Sequence, residues 1–121
     1  MTNNLNILFL CSRNQWRSPT AETIWRKHPG IFSRSGGLSP QAKHRVSHLD
    51  IQWANIIFVM EESHKKKLKS IFGKHLVAKN IHVLDIPDLY RYMDPELINL
   101  LQESVTPVLE SYIIRQSLEK E

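Results

Sequence analysis

The segment ANIIFVM, residues 54–60, restricts the fold of this chain more than any other stretch. A near-continuous apolar run of this length is typical of a parallel strand that helices cover on both faces. A second apolar run, Leu5 and residues 7–10, stops at Cys11 and is followed by a polar loop and then by a helical pattern. The two runs therefore favour an α/β fold.

The next patterns along the chain predict one helix and two more strands. Ser18 is in position to cap a first helix, with Pro19 in its first turn. A weak strand pattern follows over residues 31–35, and residues 36–44 contain the glycine and proline of a turn or loop. We predict another buried strand at residues 80–86.

Two further helices complete the pattern. The first is expected to run from Glu61 or Glu62 to Phe72, with Leu68, Ile71 and Phe72 facing inward and Gly73 as its stop. The second is expected to begin after Asp94, which caps it, and Pro107 should kink or divide it. The whole alternation predicts a three-layer α/β/α fold with a parallel sheet of about four strands.

Composition and charge narrow the class of protein. The chain has 121 residues, 41% of them apolar and 23% charged, which predicts one modest core and a single domain over residues 1–121. No apolar run approaches the ~20 residues that cross a bilayer, so we expect a soluble protein with no membrane partner. A single cysteine allows no intrachain disulfide, which makes the cytoplasm the expected location. The net charge of +4 favours anionic partners, but no pattern typical of nucleic-acid binding is present.

Cys11 and Arg17 stand at the two ends of a short loop between the first strand and the first helix. A loop of this length can curl around one tetrahedral oxyanion, with the backbone N–H groups of residues 12–17 pointing inward. Arg17 can grip two phosphate oxygens, and Ser18 can stabilise a Cys11 thiolate that attacks phosphorus. Alternatively, a lone cysteine at the end of an apolar run is a small buried hydrophobe.

These residues resemble the low-molecular-weight protein tyrosine phosphatases, whose phosphate loop follows the pattern C-x-G-N-x-C-R-S-P. The loop here reads CSRNQWRSP, and it matches at Cys11, Asn14, Arg17, Ser18 and Pro19. The resemblance implies that Cys11 is the nucleophile, Arg17 the phosphate clamp, Ser18 the thiolate partner and Asn14 a loop-shaping residue in left-handed geometry. The expected substrate-binding residues of the loop are Ser12, Arg13, Asn14, Gln15 and Trp16.

The resemblance continues downstream. RSGG at residues 34–37 is similar to the family's Ser-Ala-Gly segment after the second strand, and IIFVME at residues 56–61 is similar to its third strand with the terminal Met-Asp. The family's general acid lies in an Asp-Pro-Tyr loop, and Asp88-Leu89-Tyr90 is similar to it. We therefore expect Asp88 to be the acid and Tyr90 an aromatic wall, with Asp85 as the reserve acid. The alternative for Asp88 is a turn residue after Pro87.

The chain departs from the family pattern at the rim of the loop. Arg13 replaces a small residue, and it either recruits a more highly charged phosphate or points to solvent. Trp16 replaces a second cysteine, which removes the intraloop disulfide, and it either walls a pocket or fills space beneath the loop. The chain is also shorter than usual between Gly37 and Trp53, so its substrate specificity is left open.

The predicted function is hydrolysis of a phosphate monoester, a phosphotyrosine protein or a small ester, through a cysteinyl-phosphate. The alternative is a non-catalytic phospho-ligand-binding module or a degenerate phosphatase. A thiol-relay arsenate reductase needs more cysteines, and a phosphocarrier domain would leave Asp88 without a task. We predict no metal and no cofactor, because His44 and His48 lack a third ligand nearby, and His64 and His75 also fit surface positions.

Overall fold

The computed structural model describes residues 4–119, with side chains up to residue 115, so the two ends of the predicted domain lie outside it. Four strands alternate with four helices along the chain. In order they are β1 (Leu5–Cys11), α1 (Arg17–Trp25), β2 (Ile31–Gly37), α2 (His48–Trp53), β3 (Ile56–Val59), α3 (Glu62–Phe72), β4 (Asn80–Val83) and α4 (Pro95–Glu119), with a 3₁₀ turn at Gly73–Leu76 after α3.

The strands form one parallel sheet in the order β2-β1-β3-β4. The chain moves from β1 to one side for β2 and to the other side for β3, so the strand order reverses between β1 and β3. In sheets of this kind, ligands bind at the carboxyl ends of the strands beside that reversal. Cys11 ends β1 at this place.

Alternate residues of β1 supply two hydrophobic cores, which confirms the predicted three-layer architecture. Ile7 and Phe9 pack with α1 and α4, whereas Leu8 and Leu10 pack with α2 and α3 on the opposite face. The Phe9 ring stacks on Phe58 of β3, with centroids 5.2 Å apart. Because both faces of the sheet are covered, β3 reads as an unbroken apolar run. β1 has one polar residue, Asn6, whose Nδ2 donates to the Trp53 carbonyl at 2.9 Å.

The first helix begins two residues earlier than its sequence pattern indicates. Trp16 occupies the cap position and makes no side-chain cap bond, so Ser18 is the second residue of α1 and does not cap it. The Ser18 side chain is fully buried and is free for another contact, described below.

Helix α2 was not predicted, because six residues are too few for a helical hydrophobic pattern to be recognised. Its start is nevertheless encoded locally: the side chain of Ser47 accepts from the backbone of Asp50, and the Asp50 carboxylate accepts from the backbone N–H of Ser47 at 2.9 Å. This capping box turns the chain back over the sheet within a segment that reads as a loop.

Helix α3 matches its predicted bounds, but two of its side chains were assigned wrongly. Ile71 is 45% exposed, whereas Leu68 is fully buried and Phe72 is half-buried. His64, predicted at the surface, is buried, and its Nδ1 accepts the backbone N–H of Glu61 at 3.1 Å at the start of the helix.

The last strand and the last helix also differ from expectation. β4 is an edge strand whose residues are half-buried or exposed, not a buried strand, because only β3 pairs with it. Pro107 lies inside α4 and does not divide it. Asp94 caps that helix as predicted, since its Oδ1 accepts the N–H of Glu96 at 2.9 Å. Among residues 4–119, no helix has both the length and the apolarity that a membrane span requires.

Candidate active site

A small cavity of about 100 Å³ lies at the carboxyl end of β1, where the strand order reverses. Its walls come from the loop between β1 and α1 and from the loop that follows β4. The residues that line it are Cys11, Ser12, Arg13, Gln15, Trp16, Arg17 and Asp88. The volume suits one tetrahedral anion and not a whole organic molecule, because drug-sized ligands occupy several hundred cubic ångströms.

Cys11 reaches the floor of this cavity and contacts Ser18. Its Sγ lies 2.9 Å from the Ser18 Oγ, which also accepts a hydrogen bond from the Asn14 Nδ2 at 3.0 Å. Since Asn14 donates to that oxygen, the Ser18 hydroxyl proton is available to the sulfur, or to the Gly36 carbonyl at 3.4 Å. Asn14 has a φ of 53°, the left-handed conformation that its side chain tolerates.

The backbone of the β1–α1 loop is supported from behind by the segment that follows β2. Leu38, Ser39 and Lys43 donate their N–H groups to the carbonyls of Cys11, Ser12 and Arg13, at 3.0, 2.8 and 3.1 Å. Within residues 4–119, no backbone N–H group of residues 12–17 donates to another protein group. The loop therefore has its carbonyls occupied and its donors unused, which is the arrangement of an anion nest.

Gly37 makes this support possible. A Cβ at this position would lie 2.6 Å from the Ser12 carbonyl oxygen and 2.4 Å from the Ala42 side chain. Only glycine lets β2 and its following segment approach the loop so closely.

Arg17 is buried in the site, and two elements hold it in place. Its Nη1 donates to the Glu61 Oε2 at 2.5 Å and to the Ile86 carbonyl at 2.8 Å, while its Nε lies 3.6 Å from the Asp88 Oδ1. The Nη2 group has no protein partner among the described residues. Nη1 is thus held by two protein acceptors. The opposite edge of the guanidinium, formed by Nε and Nη2, has only the Asp88 carboxylate near it among the described residues.

The three residues predicted on the loop after β4 have different positions. Asp88 lines the cavity, and its side chain is 60% exposed. Asp85 does not line the cavity and is placed instead with Glu61 and Pro87 around a separate depression. Tyr90 also lies outside the cavity and packs against the core beneath α1 and α4, so its predicted role as an aromatic wall has no geometric support.

Trp16 is the aromatic residue that the structure places on the cavity rim. It is 36% exposed and lines both the small cavity and a neighbouring groove of about 770 Å³, and Gln15 is shared in the same way. Arg13 is exposed at the rim on the small-cavity side. Of the two alternatives stated for Trp16, the structure therefore favours a wall and not a filler beneath the loop.

Sequence reasoning missed Glu61 and His64 as parts of this site. The hydrogen bond from Arg17 is the main cause that lowers the pKa of Glu61, so this carboxylate stays ionised beside the guanidinium. Burial is the main cause that lowers the pKa of His64, and the nearby Arg17 charge acts in the same direction. Glu61 could have been found from its position after β3, because ligands bind at the carboxyl ends of the strands beside the reversal between β1 and β3.

Within the described part of the chain, no group of three or more histidine, cysteine, aspartate or glutamate side chains is placed to hold a metal ion. His44 is exposed, and its Nε2 lies 3.0 Å from the Asp50 Oδ2. His48 is also exposed, and its ring lies 5.7 Å from that of His75.

No protein-family profile matches the sequence, and no curated protein matches it. Solved structures do match in fold. The low-molecular-weight protein tyrosine phosphatase SP-PTP from Streptococcus pyogenes is 18% identical, covers 95% of this chain and 97% of its own, and has a TM-score of 0.75. The tyrosine phosphatase Wzb from Escherichia coli K30, solved with phosphate, is 20% identical over 88% of this chain and 96% of its own, with a TM-score of 0.70.

A third similar structure is the YwlE arginine phosphatase from Geobacillus stearothermophilus, at 19% identity over 92% of this chain and 96% of its own, with a TM-score of 0.68. The chain therefore has the fold of the low-molecular-weight protein tyrosine phosphatases.

Proposed function

We propose that the protein is a cysteine-dependent phosphatase that hydrolyses phosphate monoesters through a cysteinyl-phosphate. The observation that carries the proposal is the contact of 2.9 Å between the Cys11 sulfur and the Ser18 hydroxyl, at the floor of a cavity that Arg17 and Asp88 also line. Three solved structures that share the fold are described as phosphatases, one of them with phosphate bound. This likeness supports the same class of reaction here.

Phosphate binding would use the unused donors of the site. The N–H groups of residues 12–17 would surround three phosphate oxygens, and Arg17 would donate to two of them through Nε and Nη2. Asp88 stands 3.6 Å from that Nε, so an incoming phosphate would replace its carboxylate at the guanidinium. Binding would therefore release Asp88 toward the ester oxygen of the substrate.

The first chemical step would transfer the phosphoryl group to sulfur. The Cys11 thiolate, stabilised by the Ser18 hydroxyl, attacks phosphorus in line with the ester bond and forms an S–P bond. The P–O ester bond breaks as Asp88, in its protonated form, gives its proton to the departing oxygen. Arg17 and the loop N–H groups stabilise the charge that develops on the equatorial oxygens.

The second step would restore the enzyme. A water molecule attacks the phosphorus of the cysteinyl-phosphate while the Asp88 carboxylate accepts its proton. The S–P bond breaks, inorganic phosphate leaves and Cys11 is a thiolate again. No step requires a metal or a cofactor, since the charge is balanced by Arg17 and by backbone donors.

The setting of the reaction also belongs to the proposal. We place it in the cytoplasm and in one domain over residues 1–121, with a phosphotyrosine protein or a small phosphate ester as substrate. The single cysteine of the chain and the absence of a membrane-spanning helix among residues 4–119 support this setting.

The direct test is a metal-free assay with para-nitrophenyl phosphate. We expect turnover that vanadate inhibits and that Cys11→Ser abolishes. Activity that survives Cys11→Ser would refute the mechanism. Phosphate or vanadate binding without turnover would instead favour a phospho-ligand-binding module.

The acid is tested by comparing Asp88→Asn with Asp85→Asn. We expect Asp88→Asn to lower kcat by about 10²-fold or more, the usual contribution of a general acid, and to leave phosphate inhibition nearly unchanged. Asp85→Asn should retain activity, because Asp85 does not line the cavity. The opposite result would move the acid to Asp85.

A further inference from the structure

Of the two arginines that line the cavity, only one has carboxylate partners within the described residues. Arg17 faces the carboxylates of Glu61 and Asp88, so its charge is balanced within the site. Arg13 lines the same cavity and has no carboxylate within 4 Å in the described part of the chain. The rim of the cavity therefore carries a cation that the proposed reaction does not use.

The neighbouring groove contains a second cation of this kind. Its other basic side chains are paired: Arg26 lies 2.7 Å from the Glu22 carboxylate, and Arg34 lies 3.6 Å from that of Asp50. Lys43 lines the groove and, within residues 4–119, has no carboxylate partner.

Arg13 and Lys43 are joined by a backbone contact, although 30 residues separate them in sequence. The Lys43 N–H donates to the Arg13 carbonyl at 3.1 Å, so the two backbones run side by side. The cavity and the groove share Gln15 and Trp16 as a common wall. Arg13 lines the cavity on one side of this wall, and Lys43 lines the groove on the other side.

We propose that Arg13 and Lys43 form a second anion subsite, which selects phosphate monoesters that carry another negatively charged group. The inference rests on the proposed phosphatase function and names the substrates that this function favours. The second group is a carboxylate or a phosphate of the same molecule, because either one fits an exposed guanidinium and ammonium. A volume of about 770 Å³ leaves room in the groove for the body of such a substrate.

The expected selectivity is modest and depends on salt. Both cations are exposed, so each contact with a second anion is screened by water and by ions. We expect each cation to contribute about two- to fivefold in kcat/KM for a doubly anionic substrate.

The test compares two phosphotyrosine peptides that differ only in two neighbouring residues, Glu in one and Gln in the other. We expect the wild-type protein to prefer the Glu peptide and Arg13→Gln and Lys43→Gln each to lower that preference by about two- to fivefold. Lys69→Gln is the matched control, because this exposed lysine lies in the last turn of α3 and lines neither cavity. The preference should shrink at about 1 M salt.

A second comparison, of a sugar bisphosphate with the corresponding monophosphate, identifies the source of the second anion. A preference for the bisphosphate that Arg13→Gln lowers supports a phosphate as the second group, and a preference confined to the peptide supports a carboxylate. Equal kcat/KM for both members of both pairs would overturn the subsite. So would a preference that survives in the Arg13→Gln, Lys43→Gln double variant.

Calorimetry with non-hydrolysable phosphonate versions of the two peptides separates this inference from the proposed function. If no ester is hydrolysed but the wild-type protein binds the Glu phosphonate more tightly and Arg13→Gln lowers this difference, the subsite stands and the phosphatase proposal falls. If hydrolysis is normal and the two phosphonates bind equally, only the subsite falls.

Discussion

At the scale of single residues, Arg17 depends on groups far away in the chain. Its Nη1 contacts Glu61 and Ile86, which are 44 and 69 residues further along the sequence. Two acceptors on one nitrogen leave the guanidinium little freedom to turn. The orientation that presents Nε and Nη2 to a phosphate is therefore set by residues that no local motif contains.

We expect Glu61→Ala to lower kcat/KM for para-nitrophenyl phosphate by about tenfold, because a hydrogen bond to a charged group is lost and Arg17 can rotate. Glu61→Gln should lose less, since an amide oxygen still accepts from Nη1. Steady-state kinetics check both, with Glu62→Ala as a control at an exposed neighbouring carboxylate. Equal rates for Glu61→Ala and the wild type would show that Arg17 does not need this partner.

At the scale of elements, the segment after β2 and the start of α3 support the site from outside it. The segment occupies three carbonyls of the phosphate loop, and Gly37 lets it come close enough to do so. The start of α3 places Glu61 beside Arg17, and His64 closes that start. Both supports act on the loop geometry without contacting the cavity.

Gly37→Ala should destabilise the fold and weaken phosphate binding, because the added methyl group meets backbone at 2.6 Å. We expect a loss of about 2–3 kcal/mol in the free energy of unfolding, measured by urea denaturation. Gly73→Ala is the matched control, since its Cβ would meet nothing within 4 Å and its φ is −41°. Similar losses for the two variants would contradict the role given to Gly37.

His64 should make stability depend on pH. Burial lowers its pKa below the value near 6.5 that it has in the unfolded chain, so the unfolded chain takes up its proton first as the pH falls. The stabilisation is therefore complete above about pH 6.5 and is lost as the pH falls toward the lower pKa of the folded state.

We expect His64→Gln to flatten the change in unfolding free energy between about pH 7.5 and about pH 5.5, because glutamine can also accept at this position but does not titrate. Burial also lowers the pKa of His82, so this residue adds its own pH dependence to the unfolding free energy. His82→Gln serves as the comparison, because it removes that dependence and keeps the one from His64. An unchanged slope in His64→Gln would show that His64 does not titrate as described.

At the scale of the whole molecule, a four-stranded sheet with helices on both faces brings every proposed catalytic group to one edge. Cys11 ends β1, Arg17 and Ser18 begin the helix after it, and Asp88 follows β4. Glu61, which positions Arg17, follows β3. The same chain contains one cysteine, so no second thiol can protect Cys11 by forming an intrachain disulfide.

Hydrogen peroxide should therefore inactivate the protein in two phases. Brief exposure gives a sulfenic acid that dithiothreitol reverses, and longer exposure gives a sulfinic acid that it does not reverse. Phosphate should slow both phases, because it would occupy the cavity in front of Cys11. The two phases are measured by the recovery of activity after dithiothreitol and by mass spectrometry of the Cys11 peptide. Full recovery of activity after long exposure to peroxide would contradict the predicted irreversible phase.

The sequence predicted the elements that local patterns encode. The apolar run of β3 is unbroken, and that of β1 is interrupted only at Asn6, because both faces of the sheet are covered. The Asp94 cap is a contact between near neighbours. The short α2 escaped prediction because six residues show no helical period. The burial of His64 and the exposure of Ile71 depend on how α3 sits against the sheet, which periodicity alone does not fix.

For the candidate site, the sequence by itself determined the spacing from Cys11 to Ser18, because one strand, one loop and one helix start carry it. Only the tertiary structure decided the partners of Arg17, the position of Asp88 in the cavity and that of Tyr90 outside it. The reason is that these contacts join segments that meet only after the parallel strands have paired in register. Local residue chemistry does not encode that register.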